Sequence, residues 1–194
     1  MPPKKKFSRE QIIDAAFDIA QKEGTENLTI RKVADRLGSS IAPIYVNFND
    51  ADELKEALIQ KVTDVSRQMI LDEQSGDPFR DIGVASIQFA REYPVLFRDI
   101  LLNPRDEIKN YDENMGEELI GQMKQSPDLQ DFTDDELSGI LTKMRVFQTG
   151  LSVMAANRLL GEDISEERMV DMLDSAAEDI IAGARLRKEG KFAR

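Results

Sequence analysis

Two short helical stretches meet at Gly38: TIRKVADRLG, residues 29–38, and SSIAPIYVNF, residues 39–48. Helices that cross closely on a tight turn restrict which residues can stand at the crossing. The middle of the first helix needs a small side chain, and Ala34 is there; the turn needs a residue tolerant of φ > 0, and Gly38 follows four positions later. Ser40 is placed to cap the second helix by accepting from its early N–H groups. Pro43 falls in that helix's first turn, where the missing N–H costs no intrahelical bond. Ile30, Val33, Leu37, Ile44 and Phe48 then form the apolar set that holds the pair against a preceding helix. This is the pattern of a helix-turn-helix, although an αα-hairpin used only for packing has the same Ala-Gly spacing.

The preceding helix is SREQIIDAAFDIAQKEG. Ser8 and Gln11 stand at capping-box spacing, Ile12, Ile13, Ala16, Phe17 and Ala20 make one stripe, and Gly24 supplies a stop. Beyond residue 50 a longer helix carries Leu54, Leu58, Val62, Val65 and Met69, and SGDP at 75–78 breaks it. Helical patterns resume at 79–93, 94–103, 106–124, 134–160 and 165–188. No alternating strand pattern and no internal repeat interrupts them. The fold class is therefore all-α, with about nine helices in total. The expected division is an N-terminal arm and helix-turn-helix domain at 1–50, followed by a helical ligand-binding and dimerisation domain at 51–194.

Chemistry is limited by what the chain lacks. It contains neither Cys nor His, which removes disulfides, Cys/His zinc sites and every His-based general acid or base. Neither a cofactor nor a metal is expected, and an enzyme is not. Glu113, Glu117 and Glu118, with Asp134, Asp135 and Glu136, raise the rival of a metal enzyme, and solvated helix faces explain both clusters better. MPPKKK is followed by amphipathic sequence and not by an apolar h-region, and no apolar run is long enough for a membrane span, so a cytoplasmic location is expected.

The net charge of −11 is unevenly spread: residues 1–50 balance at +1 and residues 51–194 at −12. An acidic body repels DNA, which confines any DNA contact to the front.

The front resembles the TetR family of transcriptional regulators, through IIDAAFDIAQKEG, LTIRKVADRLG and IYVNFNDADELKEAL in the expected order and spacing. FAREYPVLFRDILL, at 89–102, is similar to a common stretch of the family's effector domain. The resemblance implies a homodimer with two N-terminal DNA-binding units, in which 29–37 and 40–47 are the helices of the motif and the second enters the major groove. It further implies a near-palindromic double-stranded DNA operator, released when a small molecule enters a C-terminal pocket. Two residues depart from the family pattern. Ala51 stands where a Lys often follows the aromatic, with Lys55 one turn on as a substitute phosphate contact, and Asn47 stands where a His often precedes that aromatic.

The second motif helix carries no charge at all, which calls for a division of labour. With Ile41, Ile44 and Phe48 turned inward, Ala42, Pro43, Val46 and Asn47 face outward. Apolar groups suit the thymine methyl, and Asn pairs in bidentate fashion with adenine. Phosphates fall to the hydroxyls of Thr29, Ser39, Ser40 and Tyr45 and to cations outside the helix: Arg31, Lys32, Arg36, Lys55 and the Lys4–Lys6 arm.

In the acidic body, helix 134–160 is apolar on two faces and helix 165–188 on one broad face, a pattern expected of two helices that pair with their copies in a homodimer. Apolar candidates for an effector pocket are Phe89, Phe97, Met115, Met123, Met144, Phe147 and Met154, with Gln148 to orient a ligand; the same residues also read as plain core. The function expected is a ligand-responsive DNA-binding repressor. The alternative is a helical interaction protein that retains the fold without binding DNA.

Overall fold

The computed structural model describes residues 7–102, 116–117, 119–127, 129–161 and 164–191. Every regular element among them is helical: α1 (Arg9–Glu23), a 3-10 turn (Thr25–Asn27), α2 (Ile30–Arg36), α3 (Ala42–Tyr45), α4 (Ala51–Glu73), α5 (Pro78–Glu92), α6 (Pro94–Leu102), α7 (Asp134–Ala156) and α8 (Glu166–Lys188). A further helical stretch runs up to residue 123. None of these helices is long and apolar enough to cross a membrane.

The chain forms two compact units, residues 1–68 with 93–103, and residues 69–92 with 104–194. This differs from a boundary at residue 50. The first half of α4 buries Leu54, Leu58 and Val62, so it belongs to the core of the first unit. Helix α6 packs on α1, with Tyr93 edge-on to Phe17 at a centroid distance of 5.5 Å. Periodicity reveals that a helix has an apolar face, not which helix that face will meet.

In the first unit α1 starts with a complete capping box, Gln11 N–H donating to Ser8 Oγ at 3.2 Å and Ser8 N–H to Gln11 Oε1 at 2.9 Å. Its stripe buries Ile12, Ala16 and Ala20 completely, and Val33, Ala34, Ile44 and Phe48 from the motif are equally enclosed. Each fully buried Ile, Leu or Phe contributes about 1.5–3 kcal/mol, which is what keeps a helix as short as α3 in place.

In the second unit α5 packs on α7 and α8. Val84 and Ile87 from α5, Met144 and Leu151 from α7, and Met169 and Leu173 from α8 make one cluster. Met123, Leu129, Phe132, Leu137 and Ile140 make another. Asp134, Asp135 and Glu136 form the first turn of α7, where Glu136 closes a capping box with Thr133. That is a structural use for an acidic group that raised the metal-enzyme rival, since carboxylates are favourable at a helix N-terminus; Glu113 and Glu118 lie outside the described residues. Helix α7 ends at Ala156, short of residue 160, because Arg158 turns to φ 56° and Leu159 N–H bonds back to Met154 O at 2.8 Å.

Candidate nucleic-acid interface

Local hydrogen bonding shapes the motif. Thr29 caps α2, its Oγ1 accepting from Lys32 N–H at 3.2 Å. The helix closes in a Schellman turn: Gly38, at φ 59°, donates to Asp35 O at 3.1 Å, and Ser39 N–H to Ala34 O at 2.9 Å. Ala34 is 1% exposed, as a residue at a close crossing must be.

Helix α3 is shorter than residues 40–47 and is not capped by Ser40. Its N-cap is Ile41, in a helical conformation and without a side-chain bond. The reason lies in Pro43: a capping side chain needs the N–H of the second or third helical residue, and proline has removed one. After Tyr45 the chain finishes the turn through Asn47 N–H to Ile44 O at 2.9 Å and Phe48 N–H to Ile44 O at 3.0 Å.

Three side chains depart from their expected places. Ile41 lies outward, 46% exposed, because it precedes the first helical residue and escapes the stripe of Ile44 and Phe48. Ser39 Oγ is inaccessible and has no partner among the described residues, which leaves it unable to reach a phosphate. Asn47 is half-buried, and its Nδ2 donates to Pro43 O at 2.9 Å and to Phe7 O at 3.4 Å. Both amide hydrogens are thereby engaged, which conflicts with bidentate pairing to adenine. Ala42, Tyr45 (51%) and Val46 (56%) are exposed, and Pro43 is half-buried.

A clasp that sequence reasoning missed fixes this helix. Arg9 Nη1 donates to Asn47 O and to Glu53 Oε1, both at 2.8 Å, with its guanidinium 4.1 Å from the Phe48 ring centroid. Glu53 Oε2 also accepts from Asn49 N–H at 2.8 Å and Nδ2 at 2.9 Å. The Asn49 backbone donor first, then Arg9, hold the Glu53 carboxyl below its ordinary value of 4.5. One signal pointed to Glu53: it stands three residues after Asp50, at capping-box spacing, and its N–H donates to Asp50 Oδ1 at 2.8 Å. Nothing local marks Arg9, whose partners lie 38 and 44 residues away.

The cations divide into two groups. Lys32 pairs with Glu23 at 2.6 Å and Arg36 with Asp18 at 2.5 Å. Arg31 and Lys55 have no ion pair among the described residues and carry undiverted charge. Exposed pairs contribute little, so Lys32 and Arg36 can exchange a carboxylate for a phosphate at small cost. An open groove of about 460 Å³ between α1 and α4 is lined by Glu10, Asp14, Glu56 and Asp64 against only Arg9 and Lys61, and disfavours a polyanion.

The expected effector residues scatter. Met144 lies in the first core cluster of the second unit with Phe147 packed on it, and Met123 lies in the other cluster. Phe89 is buried and Gln148 half-buried, while Phe97 belongs to the first unit. Met154 is 39% exposed and so is not part of an interior stripe; it shares an outer arc of α7 with Val146 and Gly150. Met115 lies outside the described residues.

Residues 12–58, which hold α1, the motif and the start of α4, match the model of the family described as bacterial regulatory proteins, tetR family. Over this front region the chain is similar to the TetR family. The chain is 25% identical over 130 residues to YvkB, an uncharacterized HTH-type transcriptional regulator of Bacillus subtilis (strain 168), covering 60% of this chain and 66% of YvkB. It is 37% identical over 49 residues to the HTH-type nicotine-responsive transcriptional repressor HdnoR of Paenarthrobacter nicotinovorans, covering 25% of each. It thus spans just under two thirds of one relative and a quarter of the other. A TetR-like transcriptional regulator from Rhodococcus sp. RHA1 has the same fold, with a TM-score of 0.68 at 18% identity over 90% of this chain and 96% of that one.

Proposed function

We propose that this chain is a TetR-family regulator, a sequence-specific DNA-binding transcriptional repressor that works as a homodimer and leaves its operator when a small molecule binds. The observation that carries the reading is α3: an exposed uncharged face on a helix locked from behind by Ile44, Phe48 and the Arg9 clasp. A helix presented rigidly in this way is suited to base edges, while Thr29, Tyr45, Arg31 and Lys55 supply donors and charge for the phosphates.

Dimerisation through α7 and α8 is supported by the apolar groups that they and the turn after α7 leave in water: Val146 at 69%, Leu186 at 40% and Met154 at 39% on the helices, and Leu159 at 64% in the turn. Effector release and repression are supported by the relationship to HdnoR, a nicotine-responsive repressor in its own name. Two linked heads require half-sites separated by whole turns of the duplex, and any ligand that favours a mismatched spacing weakens DNA binding by reciprocal linkage.

A mobility-shift assay with duplex fragments from upstream of the protein's own gene tests this. A shifted band at low salt, weakened steeply by added salt and lost with the correct small molecule, is the expected result. No shift with any fragment at low salt sinks the proposal.

A further inference from the structure

Within the DNA-reading role proposed above, on which this inference rests, the base code itself can be derived from α3. We infer that the reading face is the apolar set Ile41, Ala42 and Val46, that it recognises thymine C5 methyl groups in the major groove, and that Asn47 does not read a base but positions the readers.

The geometry is simple. At about 100° per residue, positions 41, 42, 45 and 46 occupy a continuous arc of roughly 140°, and all four are exposed. Three of them carry no polar side-chain atom. Tyr45 offers a single hydroxyl at the end of a ring, suited to a phosphate at the groove's edge. The one side-chain amide in residues 39–48, that of Asn47, already donates to Pro43 O and Phe7 O, and the Asn47 backbone carbonyl accepts from Arg9. No bidentate donor–acceptor pair is therefore left on the face. Of the groups that base pairs present in the major groove, only the thymine methyl is apolar. A face of Ile, Ala and Val gains by covering it and gains nothing from an exposed guanine or cytosine edge, whose polar groups would be dehydrated without a partner. The occupant is fixed by charge as well: the apolar patch lies in a unit that also carries the undiverted cations Arg31 and Lys55, a combination that favours a polyanion with apolar features over an apolar protein surface.

The test uses the full-length protein and an operator selected from random duplexes. Each thymine of a half-site is replaced in turn by deoxyuridine, which removes the methyl and keeps the pairing. The expected result is a loss of affinity of about four-fold at each contacted thymine, corresponding to about 0.8 kcal/mol per methyl-sized group buried. Ile41→Ala and Val46→Ala, both at exposed positions, are expected to bind the thymine duplex more weakly and to lose most of the discrimination against deoxyuridine. Asn47→Ala is expected to weaken the thymine and deoxyuridine duplexes by the same factor, as loss of a positioning residue does.

The outcomes separate cleanly. Selection of no duplex at all overturns the DNA-binding reading. A selected operator whose deoxyuridine forms all bind as well as thymine overturns the methyl code and leaves DNA binding intact. An altered preference at an A·T pair in Asn47→Ala overturns the role given to Asn47.

Discussion

Asp99 Oδ2 accepts from the Thr25 backbone N–H at 2.6 Å and from its hydroxyl at 3.2 Å, which ties α6 to the turn between α1 and α2. Thr25 is 7% exposed, so its N–H has no ready replacement from water. Replacing Asp99 by Ala strands a buried donor, and a loss of about 1–3 kcal/mol is expected in urea unfolding. Gly24 sharpens the test. It sits at φ 88°, and a Cβ there would lie 2.9 Å from Asp99 Oδ2. Gly24→Ala is expected to destabilise by itself, and by less when Asp99 is already Ala. Strict additivity would show that the carboxylate is not what constrains Gly24.

Gly83 and Leu173 present a second coupled pair, in the other unit. A Cβ on Gly83 would overlap Leu173 Cδ2, a side chain that is only 3% exposed. Gly83→Ala is expected to cost about 1–3 kcal/mol through overpacking. Leu173→Ala should cost about 2–5 kcal/mol through the cavity it leaves. The double variant should lose clearly less than the two together, because the new methyl enters the space that Leu173 vacates. A double variant as unstable as the sum would mean that α5 and α8 do not press together at this point.

Val146 and Leu159 test the assembly proposed for α7 and α8. Both are largely in water, so Val146→Glu and Leu159→Glu should leave the melting of the isolated chain almost unchanged. A charge in a dimer interface is costly, and sedimentation of the double variant should shift towards the monomer. Unchanged sedimentation would move the interface to another face.

The Glu53 clasp predicts a pH dependence. Its carboxyl titrates below 4.5 in the folded protein, held down by Asn49 N–H first and Arg9 second. A lowered folded value means that the unfolded chain takes up the proton first as pH falls. The contribution is therefore fully present above 4.5 and is lost as pH drops through the folded value. Glu53→Gln should flatten this acid limb in a pH series of thermal melts, with its loss of stability greatest at neutral pH and vanishing at acid pH, where Glu53 is itself protonated. An acid limb unchanged by Glu53→Gln would remove this carboxyl from its cause.

Much of this protein is legible along the chain because its signals are local. The Ala34–Gly38 spacing, the Ser8–Gln11 capping box and the stop at Gly24 each involve residues within one or two turns, where geometry follows from sequence alone. The absence of charge from residues 39–48 is likewise a fact of sequence, and it already demanded that bases and phosphates be met by different residues.

What the chain by itself determined was the helical class, the position of the motif and the division between a near-neutral front and an acidic body. Only the tertiary structure decided how ambiguous side chains were used. Asn47 has the chemistry of an adenine reader, yet its amide is claimed by Phe7, 40 residues away in sequence. Ile41 has the chemistry of a core residue, yet the start of α3 one residue later leaves it outside. Helix α6 lies in the sequence among the body's helices, yet Asp99 bonds to Thr25 across 74 residues. Periodic patterns record that a face is apolar or that a group can donate; the partner is chosen by packing, where a buried donor must find an acceptor wherever the fold supplies one.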